Sequence, residues 1–410
     1  MTNDTAILRE LARDVRTIAE KPVQHERRRL WRDQNSFANG RPLIYVRAFA
    51  FNEIFDEKNL ACSDPFFRNY ELYLRMMQFR DTIGDDFIIE PWLTVDAVFT
   101  PAAQKRWGIQ AALGEKPQEG GAAAFHPEII EEADIEKLVM PSHSIDEQAT
   151  KVRFEKLNNA VGDILDVELN RATIFQMWTM DISTDLAKLR GLEQIMWDAY
   201  DRPEWLHRLL AFMRDGILKV HGEAERAGDF SLANHQNQAM PYARELKDPK
   251  AHAPGAKRNE LWGFMASQEF TTFGPDMFDE FILQYQIPIL EKFGLAAYGC
   301  CEDLTKKIDH LRKIPNLRRI AVSPFANARR CAEQIGGDYI LSWRPNPATM
   351  ISTGLDEDYV RAHMREHFAI FKQCGNRFDI TLKDVETINR QPENVAKWVR
   401  IVREEIDRCF

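Results

Sequence analysis

Short apolar runs of strand length alternate along this chain with segments of helical periodicity, and no other feature constrains the fold as much. Eight such runs are present, at 43–49, 87–95, 172–178, 231–235, 295–300, 319–324, 339–343 and 378–383. Helical periodicity fills most of the gaps between them, at 192–227, 276–293, 304–313, 326–335, 358–373 and 392–407. Strands that alternate with helices form parallel βαβ units, and eight units predict an α/β fold with a closed (β/α)8 barrel, the TIM barrel.

The length of 410 residues fits a single barrel with additions. Residues 1–40 have a helical pattern and predict a helical N-terminal extension, which leaves residues 41–410 for the barrel. Residues 100–143 are rich in Ala, Gly and Pro and predict a long loop between strands. Such loops often cover the C-terminal face of a barrel, where the active sites of this fold lie.

Charge and composition exclude several classes of protein. The 54 Lys and Arg residues against 63 Asp and Glu give a net charge of −9, which disfavours binding to nucleic acid. No apolar run reaches the ~20 residues that a membrane-spanning helix needs, and the N-terminus lacks the basic start and apolar core of a signal peptide. We therefore expect a cytoplasmic protein with no membrane contact, whose six cysteines stay reduced. Motifs for dinucleotide binding, the P-loop, His-Glu-x-x-His zinc sites and the Gly-x-Ser-x-Gly elbow are also missing.

The most informative candidate site residues lie at the end of the run 295–300 and directly after it. Cys300, Cys301 and Glu302 offer two thiols and a carboxylate to a soft divalent metal, most simply Zn²⁺. Adjacent residues on an extended strand point to opposite faces, so both thiols can reach one ion only if the strand has already ended. His235 is a candidate nitrogen ligand. The alternatives are buried thiols that pack as small apolar groups and a hydrogen-bonded loop histidine.

Other strand ends carry residues suited to binding a substrate. Lys383 and Asp384 can bind an anion together or close the barrel with an ion pair, and Trp343 can stack on a planar substrate. Arg344 is suited to an acidic substrate, while Arg47 is either an anion holder or a surface charge.

A further carboxylate lies in an apolar and aromatic segment. Glu269 ends the sequence Trp-Gly-Phe-Met-Ala-Ser-Gln-Glu, where the surroundings favour its uncharged form and would let it act as an acid. Its alternative role is that of a loop carboxylate near a helix N-terminus.

Several segments resemble a known family in order along the chain: 40–47 (Gly-Arg-Pro-Leu-Ile-Tyr-Val-Arg), 191–194, 201–210, 273–281 and 379–398. From about Arg41 to Asp407 the chain resembles the uroporphyrinogen decarboxylase superfamily. That superfamily has a (β/α)8 fold and includes zinc methyltransferases that act on corrinoid proteins. These methyltransferases bind zinc with a His-x-Cys at this strand end and a second Cys far downstream. Cys300 matches the first Cys, but Tyr298 stands in place of the His and 342–347 (Ser-Trp-Arg-Pro-Asn-Pro) in place of the second Cys.

The resemblance implies a corrinoid-dependent methyltransferase of the O-demethylase component type. Such an enzyme moves a methyl group between a small methoxy- or methylamine-type compound, or a thiol or pterin acceptor, and the cobalt of a corrinoid (cobalamin) carried by a partner protein. Zn²⁺ would act as a Lewis acid, held by Cys300 or Cys301 with His235 and a carboxylate, and Glu269 or Glu302 would protonate the departing alkoxide.

Two other functions stay open. One is a cofactor-independent decarboxylase in which Arg47, Arg344 and Lys383 hold a polycarboxylate, although the arginine pattern of the uroporphyrinogen-specific members is not kept. The other is a non-catalytic barrel that binds a small molecule or the corrinoid partner. The sequence leaves the substrate and the direction of transfer open, and it is compatible with a homo-oligomer.

Overall fold

The computed structural model describes residues 2–38, 40–48, 50–109, 112–113 and 125–410, and it shows an α/β fold built on parallel strands. The strands are β1 (Leu43–Ala48), β2 (Trp92–Asp96), β3 (Ala112–Leu113), β4 (Phe125–His126), β5 (Asp166–Asn170), β6 (Trp262–Met265), β7 (Leu295–Tyr298), β8 (Leu317–Val322), β9 (Ile340–Trp343) and β10 (Arg377–Val385).

Helices surround these strands, and none in the described ranges is long and apolar enough to cross a membrane. They are α1 (Asn3–Ala19), α2 (Pro22–Asn35), α3 (Phe51–Ile54), α4 (Pro65–Ile83), α5 (Pro101–Gln104), α6 (Glu147–Val161), α7 (Ser183–Arg190), α8 (Leu192–Asp201), α9 (Pro203–Ala227), α10 (Pro275–Phe278), α11 (Gln284–Leu290), α12 (Ile308–Leu311), α13 (Ala328–Ile335), α14 (Glu357–Gln373) and α15 (Glu393–Cys409).

Six strands form one curled parallel sheet in the order β1, β10, β9, β8, β7, β6, and β2 pairs in parallel with β5 in a separate sheet. Within the described residues the two sheets share no ladder, so the predicted closed barrel is corrected to an open, barrel-like sheet. Side chains cover the β1 edge of the six-stranded sheet. Carboxylates of Asp86 and Asp85 accept the N–H groups of Ile44 and Val46 on β1, each at 2.8 Å. These bonds satisfy polar backbone groups that a neighbouring strand would otherwise pair.

The β2–β5 pair has a hydrophobic core of its own, which it shares with α1, α4 and α6. Leu8 of α1, Leu74 of α4 and Leu157 of α6 pack there against Val95 and Val167, and all five side chains are buried. The first helix of the chain is therefore packed into the body of the protein.

Two of the eight predicted strands are wrong. Residues 172–178 form turns after β5, and 231–235 contributes only an isolated bridge between Ser231 and Pro254. The prediction missed four strands: β5, which alternates polar with apolar residues, β6, which is short and contains a glycine, and the two-residue strands β3 and β4, which pair with each other inside the predicted loop 100–143. The other six predicted runs overlap observed strands.

One helical prediction and one loop prediction also change. The segment 192–227 is two helices, because Pro203 begins α9 and disfavours helical backbone at the residue before it. The predicted loop 100–143 contains α5 and a short 3₁₀ helix, and its Trp107 is buried against Phe175. Residues 110–111 and 114–124 of that loop lie outside the described residues.

Helix α2 covers the N-terminal end of the six-stranded sheet. The Gln34 amide donates to the carbonyl of Phe378 on β10 at 2.8 Å, and Arg319 of β8 donates to Asn35 at 2.7 Å. The Arg319 guanidinium also forms a buried ion pair with Asp379. This polar layer covers the N-terminal end of the sheet, whereas the active sites of barrel folds lie at the C-terminal ends of the strands.

Candidate functional site

The carboxyl ends of β1, β7, β9 and β10 carry eight of the predicted site residues. Arg47 of β1 and Lys383 of β10 are paired in register, so their side chains leave the sheet on the same face. The other six lie at or just after the ends of β7 and β9 or in β10: Cys300, Cys301, Glu302, Trp343, Arg344 and Asp384.

The two cysteines face the same side because β7 ends before them. Gly299 has φ +97°, a left-handed conformation that turns the chain directly after Tyr298. A Cβ at this position would lie 2.6 Å from Cδ1 of Leu304, so the turn also requires the small residue. The Sγ atoms of Cys300 and Cys301 consequently lie 3.4 Å apart, within hydrogen-bonding distance of each other.

The ammonium group of Lys383 lies at the centre of this pair. Its Nζ is 3.0 Å from Sγ of Cys300, 3.3 Å from Sγ of Cys301 and 2.9 Å from a carboxylate oxygen of Asp384. A lysine ammonium has three N–H donors, and three acceptors surround it here. We call these four residues the thiol–lysine cluster.

A β-bulge brings the Asp384 carboxylate to this cluster. Arg47 pairs with Lys383 and Ala48 with Val385, so Asp384 is an extra residue in β10, and its φ is +56°. Without the bulge the side chains of Lys383 and Asp384 would point to opposite faces of the sheet. The structure thus shows the ion pair between them that the sequence allowed.

Arg344 and Glu302 hold the loop that carries the cysteines. The buried Arg344 guanidinium donates to the carbonyl oxygens of Cys300 and Gly299. The buried Glu302 carboxylate accepts the N–H groups of Ser267 and Cys300, each at 2.8 Å, and burial raises its pKa. Both carboxylate oxygens are occupied as acceptors, so this geometry gives Glu302 a positioning role instead of the predicted role as an acid.

The surroundings stabilise negative charge on Cys300. The hydrogen bond from the Cys301 thiol lowers the pKa of Cys300, and the positive charges of Arg344 and Lys383 lower it further, while burial opposes them. The pKa of Cys301 is raised, first because it donates that hydrogen bond and also because of burial. The surroundings therefore favour a thiolate on Cys300, with the proton of the pair on Cys301.

The predicted zinc site does not fit this geometry. Lys383 Nζ occupies the position between both sulfurs and Asp384 that a bound cation would need, and Tyr298 in place of a histidine donates its hydroxyl to Gln286 at 2.6 Å. His235 lies at the opposite end of β6, where its Nδ1 accepts the N–H of Trp262 at 3.2 Å. Burial lowers the pKa of His235 to about 4. The structure therefore does not bring His235 to the cysteines.

Glu269 belongs to a second group of carboxyls, beside the end of β6. Its oxygens accept from Ser183 Oγ at 2.8 Å and Thr184 Oγ1 at 2.9 Å. The Thr184 hydroxyl also lies 3.1 Å from Asp181, whose pKa is raised well above its usual range by burial and by the charge of Glu269. One hydroxyl proton cannot serve both carboxylates, and the raised pKa of Asp181 favours the form in which Asp181 itself can donate a hydrogen bond. Sequence reasoning missed Asp181, whose segment shows only the Ser-Thr-Asp pattern of a helix start.

Trp343, which the sequence predicted could stack on a planar substrate, does not lie beside the cysteines. Trp343 points out of the sheet and stacks on His367 of α14, at 4.6 Å between ring centroids, so it does not face the cysteines. Trp178 is partly exposed and packs with Met177 against the apolar cluster that contains Cys300. Its ring meets that of Phe264 edge-to-face, with 5.2 Å between the centroids.

The comparisons with known proteins support the fold. No family model matches the sequence, and no curated protein matches it. Among solved structures, the chain is similar to a methyltransferase from Methanosarcina mazei, with a TM-score of 0.53 and 12% sequence identity. The match covers 92% of this chain and 97% of that one. At this identity the likeness shows a shared fold and leaves the activity to be argued from the site.

Proposed function

We propose that this protein is a methyltransferase in which the thiol–lysine cluster provides the sulfur that accepts and releases the methyl group. The observation that carries the proposal is the Lys383 ammonium between two thiols at the carboxyl ends of the strands. A thiolate kept ionised at neutral pH is a strong nucleophile toward a methyl carbon. The similar solved structure, itself titled a methyltransferase, agrees with this reading of the fold.

The proposed step is a displacement at carbon. The thiolate of the pair attacks the methyl group, a C–S bond forms, and the bond from the methyl carbon to its carrier atom breaks, with the electron pair leaving on that atom. Cys301 is the partly exposed sulfur of the pair, and its proton moves to Cys300 when it attacks. Lys383 stabilises the sulfur anion before the step and when the methyl group is passed on.

A corrinoid carried by a partner protein would supply or take up the methyl group, and the second substrate would be a small methoxy- or methylamine-type compound. Trp178 offers an apolar surface for such a compound beside the thiols. A zinc ion takes no part in the proposed step, because Lys383 already occupies its place.

The decarboxylase alternative has less support from the geometry. Its mechanism needs Arg344 and Lys383 to hold substrate carboxylates, but Arg344 is buried and donates to two backbone carbonyls. Lys383 is also buried, and its donors face the thiols and Asp384.

The test is anaerobic incubation of the reduced protein with methylcobalamin as a probe for the corrinoid partner. We expect the cobalamin spectrum to show demethylation and the protein to gain the mass of one methyl group, mapped by peptide mass to Cys300 or Cys301. The double variant Cys300→Ser/Cys301→Ser should lose this transfer. Cys374→Ser, which removes a partly exposed thiol outside the cluster, is the matched control and should transfer at the wild-type rate.

Transfer at an unchanged rate in the double variant would overturn the proposal. Absence of any transfer in the wild type would favour the non-catalytic barrel instead.

A further inference from the structure

We propose a metal site on α14, formed by His363, Glu366 and His367, which binds a divalent transition metal such as Zn²⁺. Each of the three residues places one ligand atom within 4.8 Å of the others. Positions i, i+3 and i+4 of a helix lie on one face, so this spacing directs all three side chains to one point. Two imidazoles and a carboxylate form a recognised ligand set for zinc that leaves a fourth position open for water.

The His367 ring is held in the form that a metal requires. Its Nδ1 lies 2.9 Å from the backbone carbonyl oxygen of His363. A carbonyl oxygen can only accept, so the proton is on Nδ1 and the lone pair is on Nε2. Histidine ligands in metal sites commonly use this second hydrogen bond to fix the ring and its tautomer.

Aromatic stacking fixes both rings before any metal binds. Trp343 stacks on His367 at 4.6 Å and on His363 at 5.5 Å, and Tyr359 stacks on the other side of the His363 ring at 5.7 Å. The two imidazole centroids lie 4.2 Å apart. A site that is ordered in advance loses less conformational entropy on binding, which raises its affinity.

The site is open to solvent and separate from the thiols. Glu366 is exposed, and both histidines are partly exposed, so an ion can enter without any opening of the core. Trp343 and Arg344 are consecutive residues, and the first contacts α14 while the second contacts the Cys300 loop. The sheet therefore lies between the two sites, and a metal on α14 would stabilise the helix without reaching the reacting sulfur.

Equilibrium dialysis against ZnCl₂ with metal analysis tests the site. We expect one zinc per chain in the wild type and the same amount in Cys300→Ser/Cys301→Ser. His363→Gln and Glu366→Gln should each weaken binding at least tenfold, and neither should show the gain in thermal stability that zinc gives the wild type. Glu366 is exposed and outside the core, so Glu366→Gln keeps the test valid if His363→Gln folds poorly.

The matched control is His310→Gln. His310 lies 3.6 Å from both Asp276 and Asp279 but has no second histidine in its group, so its loss should leave zinc binding unchanged. Co²⁺ in place of Zn²⁺ should give visible ligand-field bands without a sulfur-to-cobalt charge-transfer band. No zinc in the wild type, loss of zinc only in the cysteine variant, or a cobalt–sulfur band would each overturn the proposal.

Discussion

The thiol–lysine cluster and the α14 site show how little the ligand types alone reveal about a metal site. The cluster has two thiols and a carboxylate, and its Lys383 ammonium lies within 3.3 Å of both sulfurs. The α14 site has weaker-binding groups, two imidazoles and a carboxylate, and these three residues place their ligand atoms within 4.8 Å of one another with no ammonium among them. A metal site needs an open position as well as ligands, and here the two regions differ in that position.

The largest expected effect comes from Lys383→Ala, which opens that position in the cluster. Removing one partner of a buried charged group costs about 3 to 5 kcal/mol at neutral pH, because the thiolate loses its compensating charge. Zinc added to Lys383→Ala should restore much of this stability by binding both sulfurs and Asp384.

Zinc is titrated in the His363→Gln background, which weakens the α14 site, so that the measurement reports on the thiol–lysine cluster. In this background we expect Lys383→Ala to raise the zinc affinity of the cluster at least tenfold. Lys307→Met is the matched control, since Lys307 is a buried lysine that donates to a backbone carbonyl and touches no thiol. Equal zinc affinity with and without Lys383 would contradict the comparison.

Gly299→Ala should have the next largest effect. A left-handed φ and a 2.6 Å contact with Leu304 both oppose a Cβ here, so we expect a loss of about 2 to 4 kcal/mol in the free energy of unfolding, measured by urea denaturation. Gly375→Ala separates the two causes, because Gly375 has φ +70° with open space around it and should cost only about 1 kcal/mol. Similar losses in both variants would show that the close packing of the cysteine turn matters little.

Stability should depend on pH through Cys300. Its pKa is lower in the folded than in the unfolded protein, so the contribution of its thiolate is fully present above the unfolded pKa of about 8.5 and is lost as pH falls through the folded pKa. Between these two values the difference in unfolding free energy between wild type and Cys300→Ser should grow by about 1.4 kcal/mol per pH unit.

Cys331→Ser is the control, because the contribution of Cys331 to stability should change with pH in the opposite direction. Burial raises the pKa of Cys331 to about 11, so its thiol favours folding below pH 8.5 and loses that contribution as pH rises toward 11. Denaturation curves from pH 5 to 10 for both variants measure these signs. The same sign in both would show that Lys383 and Arg344 do not stabilise the Cys300 thiolate.

The smallest effects are expected at the two carboxylates. The Asp384 side chain is 44% exposed and Glu366 is exposed, so Asp384→Asn and Glu366→Gln should each change stability by less than about 1 kcal/mol in metal-free buffer. Zinc should then distinguish them, because only Glu366→Gln should abolish thermal stabilisation by the metal. A larger loss in Asp384→Asn would mean that the cluster depends on its carboxylate more than on Lys383.

The sequence predicted the position of the site better than its chemistry. Apolar runs end before Cys300, Arg344 and Lys383, and parallel strands place such ends together, so these residues could be grouped without a structure. The contact of the ammonium with both sulfurs depends on the Asp384 bulge and the Gly299 turn. These local irregularities have no periodic signal in the sequence.

The same limit explains the errors in the fold. Strand β5 alternates polar and apolar residues because it lies in the small sheet beside helices, and the apolar run 172–178 forms turns in which Phe175 is buried. At the β1 edge, the carboxylates of Asp85 and Asp86 take the place of a paired strand. In the sequence these two residues look the same as ordinary loop residues. The α14 site was also missed, since His363 and His367 fall within the segment 358–373, for which the sequence predicted only a helix.

The contacts of α2 with the last strand of the sheet have a consequence for the order of folding during synthesis. Gln34 bonds to the backbone of Phe378, a separation of 344 residues, so the N-terminal end of the sheet cannot be covered until nearly the whole chain has left the ribosome. Contacts this distant in sequence slow folding, and the polar layer around Arg319 stays hydrated until then. Slow, late ordering of α2 is therefore expected, and chaperones would meet the nascent chain with this end of the sheet still uncovered.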